Sequence, residues 1–390
     1  MKLMNRLSVH NLNIWKRGTK SGEVFPIIID VTFSVDSGQV LGILGENAAG
    51  KSSILWALAG FIPVAGNKRS DSRVFSPVWG DEARLMSGKI EIDGIDVTTL
   101  PSGERNIGLV PQNLYLYPNR SVYKNISFSL ENADEPDIQK RVALISERFS
   151  ISNILWLTPE EISGGQQQRV AVARAIVKKP KLALFDEALS SADPLSKSEF
   201  IPYIRSFLQE YGGSAVYVTH DPEEAALFCD KVVILKDGIA HQAGTPAEVF
   251  QKPSTIFVAR FFSGFTTFVT GNYDPQSRMF CSMEGQSIDL GPVADMLGPV
   301  RKKIHTIGFR PLGLSITEPE SGLLSGSVID SVFLNNRQCV RFAMGKENLG
   351  VAAVNGKLIQ AGGRVGLVLN ENHLDDIIVF DGEGRSFHGE

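Results

Sequence analysis

Cysteine is scarce in this chain. The three residues Cys229, Cys281 and Cys339 are odd in number and far apart, which excludes a disulfide framework and a cysteine metal site. They read as reduced thiols. Nowhere do about 18 apolar residues run together, so no helix is expected to cross a bilayer. The start, Met1-Lys2-Leu3-Met4-Asn5-Arg6, turns polar without a signal-peptide core, and a cytoplasmic chain is expected. Basic charge is not in excess: 39 Lys and Arg against 43 Asp and Glu leave a net charge of −4. A groove for DNA or RNA needs the opposite balance, so nucleic acid is not an expected partner. What the 390 residues do hold is an ordinary soluble composition, 43% hydrophobic and 21% charged, which excludes a disordered chain. At about 150 residues per domain the chain has room for two or three domains.

Over the first two thirds, apolar strand-like runs alternate with helical stretches, the rhythm of an α/β fold with a largely parallel sheet. Gln39 to Leu44, Leu182 to Phe185, Ala215 to Thr219 and Val232 to Leu235 read as buried strands. Gly88 to Gly94 alternates with period two and ends in an Asp-Gly turn, as a hairpin strand does. Val172, Ala173, Ile176 and Val177 fall on one face of a helix. Ala65 to Glu82 is polar and reads as a surface insertion. From about Thr266 the texture changes to short β pieces with glycine turns, including Gly326 to Ile329 and Gly366 to Leu369, which suggests a small barrel or sandwich. Pro246 to Phe262 would form a helical connection. The expected division is a domain over 1–250, a helical linker over 251–265 and a β domain over 266–390.

Gly45-Glu46-Asn47-Ala48-Ala49-Gly50-Lys51-Ser52 fits G-x-x-x-x-G-K-[ST] between an expected strand and an expected helix. In that setting backbone N–H groups and the positive end of the helix dipole cradle phosphates. Gly45 and Gly50 permit the tight path, Lys51 brings charge to the outer phosphates, and the Ser52 hydroxyl is a hard ligand for Mg2+. Ser53 completes this candidate nucleotide-binding set. Asp186 and Glu187 end the strand at Leu182, where open α/β sheets bind ligands. Asp186 is expected to organise Mg2+, and Glu187 to orient and deprotonate an attacking water.

Ile162-Ser163-Gly164-Gly165-Gln166 resembles the LSGGQ signature of the ATP-binding cassette (ABC) ATPases, with isoleucine for the usual leucine. Other family motifs follow in order. Gln112 matches the Q-loop, Ser191-Ala192-Asp193 the D-loop, and His220 the switch histidine. The resemblance covers about residues 3 to 250. It implies ATP and Mg2+ as ligands, with Gln112 touching the metal and His220 contacting the terminal phosphate. It also implies that Ser163, Gly164, Gly165 and Gln166 form a second anion cradle. In the family, two subunits sandwich two ATP molecules head to tail, with Asp193 shaping the interface. Trp15 would stack on adenine, with Phe25 competing for that place. Two departures stand out. Ala48 replaces a common glycine, which strains the loop if φ is positive there, and Ala188 replaces a common proline. Neither removes a donor, ligand or base, so binding and hydrolysis are both expected.

The stretch Tyr115 to Val122, followed by Asn125, resembles ATPases of the maltose, polyamine and ferric-iron importers, whose aromatic residues dock a helix of the membrane subunit. Gly308-Phe309-Arg310-Pro311 resembles a motif of their C-terminal oligomer-binding-like (TOBE) domain. The resemblance therefore implies a P-loop NTPase ABC cassette with a helical signature subdomain, followed by a small all-β OB-like regulatory domain. The chain would be a peripheral ATPase at the cytoplasmic face of the inner membrane. Its partners would be separate permease subunits, a second ATPase subunit and, indirectly, a solute-binding protein. The sequence leaves the solute open among sugars, polyols, polyamines, ferric iron and oxyanions, and the resemblance leans to carbohydrate. The competing readings are a soluble ABC ATPase acting on ribosomes or DNA, and a regulatory binding protein acting through the C-terminal domain.

Overall fold

The computed structural model describes residues 5–17, 23–65, 84–131, 137–190, 194–294, 304–322, 324–334, 337–344, 348–354 and 361–387. The chain divides into two compact units, Met1–Pro246 and Ala247–Glu390.

Along the first unit run β1 (Asn5–Arg17), β2 (Val24–Asp36), β3 (Val40–Gly45), α1 (Lys51–Leu58), β4 (Arg84–Ile92), β5 (Ile95–Asp96), β6 (Ile107–Val110), α2 (Val122–Glu131), α3 (Ile138–Arg148), α4 (Gly164–Ile176), β7 (Leu182–Asp186), α5 (Pro194–Glu210), β8 (Ser214–Thr219), α6 (Pro222–Phe228), β9 (Lys231–Lys236) and β10 (Ile239–Gly244). Among the described residues, one sheet has the order β10-β9-β3-β8-β7-β6 and is parallel except for β10. Every residue of β3, β7 and β8 is buried, which is why these strands are apolar on both faces. Their carboxyl ends come out side by side, the edge at which open α/β sheets bind ligands.

A second sheet, β2-β1-β4-β5, is antiparallel. Asp93 and Gly94 make its expected tight turn, both with positive φ. Apolar residues of β1 and β2, among them Val9, Ile14 and Ile28, share one core with Leu41, Ile54, Leu184 and Val216. On α4, the face carrying Val172, Ala173 and Ile176 is buried, as is Val177 just beyond it. The expected surface insertion, apart from Ala65, lies outside the described residues.

The second unit opens with α7 (Pro246–Gln251) and α8 (Ile256–Ser263). Strands follow: β11 (Thr267–Asp274), β12 (Met279–Ser282), β13 (Ser287–Asp289), β14 (Thr306–Phe309), β15 (Leu314–Thr317), β16 (Leu324–Leu334), β17 (Arg337–Met344), β18 (Asn348–Ala353), β19 (Arg364–Leu369) and β20 (Ile377–Phe380). Five of them close a barrel, β15-β18-β17-β16-β19, and five form the sheet β13-β12-β11-β14-β20. Closure removes the exposed strand edges that short β pieces would otherwise leave. The unit has its own core, including Phe280, Phe309, Phe342 and Leu367. Among the described residues no helix is long and apolar enough to cross a membrane.

Candidate functional site

The loop from Gly45 to Gly50 joins the buried end of β3 to α1. Its path depends on two glycines. Gly45 has φ 157°, and a Cβ there would press into the Leu235 carbonyl oxygen. Gly50 has φ 96° and lies against Ile27 and Ile28. Gly50 is also the N-cap of α1, so no side chain caps that helix, and its start is left for an anion. Ala48 sits at φ 65°, the left-handed region that disfavours a side chain. Glu46, Asn47 and Ala48 are exposed, whereas Ala49 and Ser53 are buried.

Lys51 is buried, and its ammonium donates to the carbonyls of Gly45 and Glu46 at 2.9 Å each. Burial lowers its pKa, opposed by Glu187 and Asp186. Beside it Ser52 Oγ donates to Asp186 Oδ1 at 3.0 Å. Asp186 is 3% exposed and, among the described residues, has no ion-pair partner. Burial pushes its pKa up to about 6, with Glu187 adding and Ser52 and Lys51 opposing. A buried carboxylate beside a hydroxyl, with no cation paired to it, is a hard-oxygen donor set that fits Mg2+. No group of three or more His, Cys, Asp or Glu gathers among the described residues.

Glu187, at φ 46°, is held by its own N–H on the Val218 carbonyl at 2.9 Å. Its carboxylate meets two other motifs. Gln112 Nε2 donates to Oε2 at 3.2 Å, and His220 Nδ1 lies 3.0 Å from Oε1. The ends of β6, β7 and β8 thus bring three residues together around one point.

Ser163 stands apart from that point. It caps α4 by accepting from the Gln166 N–H at 3.3 Å, while Gln166 Oε1 accepts from the Ser163 N–H at 2.9 Å, a complete capping box. Ser163, Gly164 and Gly165 are exposed. No hydrogen bond among the described residues joins them to the phosphate loop. Ser163, Gly165 and Gln166 border a cavity of about 380 Å3 that also touches Leu189, Lys197 and Phe200. Asp193 and the rest of its expected D-loop, 191–193, lie outside the described residues.

Trp15 on β1 is half-buried and pairs with Pro26 and Leu85, while Phe25 on β2 is 52% exposed one register position away. The stretch expected to dock a helix divides in two. Val122 and Asn125 are buried, and Asn125 holds the turn through Tyr117 N–H and the carbonyls of Tyr117, Arg120 and Ser121. Tyr115 and Tyr117 instead line a largely apolar groove of about 590 Å3 with Trp56, Phe61, Leu109 and Phe128.

Sequence reasoning passed over two residues near the site. Glu224, buried on α6, accepts from Tyr217, Thr219 and Lys197, so it braces the strand that ends just before His220. Arg174, on α4, donates to the Leu114 and Tyr115 carbonyls behind Gln112. The available signal was a charge on an otherwise buried helical face in each case.

The chain is similar to known proteins along most of its length. Residues 28–190 match the ABC transporter family. The chain is 30% identical over 358 residues to the sn-glycerol-3-phosphate import ATP-binding protein UgpC of Psychromonas ingrahamii, covering 88% of this chain and 87% of that one. It is 30% identical over 319 residues to the spermidine/putrescine import ATP-binding protein PotA of Pasteurella multocida, covering 80% of each. A solved structure, cbiO1 from Clostridium perfringens, described as part of the ABC transporter complex cbiONQ, superposes with a TM-score of 0.51 at 27% identity over 63% of this chain and 90% of that one.

Proposed function

We infer, from the premise that this chain belongs to the ABC transporter family and is an ATPase, that it energises an importer whose membrane-spanning subunits are separate chains. The observation that carries this reading is the meeting of Gln112, Glu187 and His220 beside the Ser52–Asp186 pair, at one edge of the sheet. In the proposed reaction water attacks the γ-phosphorus of ATP, the bond to the β-bridging oxygen breaks, and ADP and phosphate leave. Lys51 and the loop N–H groups hold the phosphates, Glu187 accepts the proton of the water, and His220 keeps Glu187 aimed. Ser52 and Asp186 would hold Mg2+, with Gln112 reaching it, and the ion when bound neutralises phosphate charge.

We place the second phosphate cradle, Ser163 to Gln166, against the ATP of a facing protomer. Its exposure and its separation from the phosphate loop support that arrangement. Asp193 would shape the same interface, and Trp15 or Phe25 would cover the adenine. The groove with Tyr115 and Tyr117 is our candidate for the permease helix. The second unit would be the TOBE-like regulatory domain, and the chain would sit peripherally at the cytoplasmic face of the membrane. For the solute we favour a carbohydrate, supported by the relative named for sn-glycerol-3-phosphate and opposed by the one named for spermidine and putrescine.

Glu187→Gln tests the core of this reading. It should keep ATP binding and slow hydrolysis by roughly 10²–10⁴-fold; unchanged turnover would remove Glu187 from the role. Reconstitution with permease subunits and a panel of loaded solute-binding proteins would then read the solute as the one that stimulates ATP turnover. Co-purification with ribosomes in place of a membrane protein would overturn the importer.

A further inference from the structure

Behind Gln112 the backbone takes an unusual course. Leu114 has φ 57° and Tyr115 φ 44°, two consecutive side-chain-bearing residues in the left-handed region. Such residues persist only where their surroundings over-determine them. Local turn bonds hold their N–H groups, and one guanidinium meets both of their carbonyls. Arg174 Nη2 donates to the Leu114 carbonyl at 2.6 Å and Nη1 to the Tyr115 carbonyl at 2.7 Å. Its cationic carbon also lies 5.7 Å from the Tyr117 ring centroid.

Among the described residues Arg174 has no carboxylate at ion-pair distance. A half-buried charge spent wholly on two carbonyls and an aromatic face serves the shape of that loop. Burial lowers its pKa, opposed by Tyr117, in keeping with a desolvated cation.

Arg174 stands on α4, the helix that Ser163 caps at its other end, about 16 Å away at 1.5 Å per residue. We propose that Arg174 is a positioning residue for hydrolysis: it fixes the Leu114–Tyr115 turn, so that Gln112 meets Glu187, and it couples the position of α4 to that contact. The proposal rests on the reading of Gln112 and Glu187 given above. A rigid helix with an exposed phosphate cradle at one end and a grip on the Gln112 loop at the other gives a direct mechanical link between the two.

The test is a double-mutant cycle on the full-length chain, reading kcat for ATP and nucleotide affinity separately. Arg174→Ala should lower kcat by roughly 10- to 100-fold while ATP affinity stays within about threefold. In the Gln112→Ala background the same substitution should lower kcat less than about twofold, because the residue it acts through is gone. Arg174→Lys, which keeps charge but loses the two-pronged geometry, should recover only part of the rate. An Arg174 effect of equal size with and without Gln112 would overturn the proposal and leave the site reading standing. Wild-type turnover by Gln112→Ala and Glu187→Gln would instead overturn the site reading, and the proposal with it. Should Arg174→Ala not fold, Arg174→Gln carries the cycle, and a chain that also fails to fold with glutamine overturns the positioning role.

Discussion

His220 Nδ1 lies 3.0 Å from Glu187 Oε1, although 33 residues separate them. The contact aims the carboxylate from one side while Gln112 holds it from the other. His220→Ala is therefore expected to lower ATP turnover about 100-fold and leave ATP affinity nearly unchanged. Steady-state kinetics beside equilibrium nucleotide binding would check this, and an equal loss in both would assign His220 to binding instead.

Ala48 and Gly45 should respond in opposite senses. Ala48 occupies φ 65° and is exposed, so Ala48→Gly relieves left-handed strain that costs about 1–2 kcal/mol. Part of that gain is returned as unfolded-chain entropy, and a net stabilisation of about 0.5–1 kcal/mol is expected, measured by denaturant midpoint. Gly45→Ala drives a Cβ into the Leu235 carbonyl and should abolish nucleotide binding. An unchanged midpoint for Ala48→Gly would mean that the relieved strain is no larger than the entropy returned, contrary to this prediction.

Glu224 predicts an acid limb of stability. Burial raises its pKa, but hydrogen bonds from Lys197, Tyr217 and Thr219 outweigh this, so the folded value lies below the ordinary 4.5. The unfolded chain therefore takes up the proton first, and stability that is complete above about pH 5 falls as pH drops through the folded value. Glu224→Gln should be less stable at neutral pH, since its amide faces Lys197. Its stability should also vary less between pH 5 and 3. Equal acid slopes for the two proteins would count against the assignment.

Arg310 in the second unit is buried, sits 4.0 Å from the Phe250 ring centroid, donates to the Phe250 carbonyl, and pairs with Asp376 at 3.5 Å. It ties α7 to the end of β14. Arg310→Met should destabilise this unit by about 3 kcal/mol, because it removes the buried cation paired with Asp376 and the donor to the Phe250 and Asp375 carbonyls. Calorimetry of the full chain would show the loss as an earlier transition, and an unaltered melting profile would contradict it.

Much of the cassette was legible from local pattern. The β3 run, the glycine loop and the Leu182 strand each announce themselves within a few residues, because burial on both faces demands uninterrupted apolar side chains. Ser163 was readable as a cap, since capping chemistry is local as well. Arg174 and Glu224 showed only as charges on apolar helical faces; their roles were not readable, because their partners are a loop 60 residues away and a strand and helix whose packing the sequence does not display.

Sequence alone determined the chemical parts: which residues carry a hydroxyl, a carboxylate or an imidazole, and that each follows a strand. Only tertiary structure decided that Ser52 would reach Asp186 across 134 residues, and that Gln112 would reach Glu187 across 75. The reason is that strand order and register in a parallel sheet come from long-range hydrogen bonding and two-sided burial. These set the carboxyl ends of β3, β6, β7 and β8 along one edge, whatever their separation in the chain.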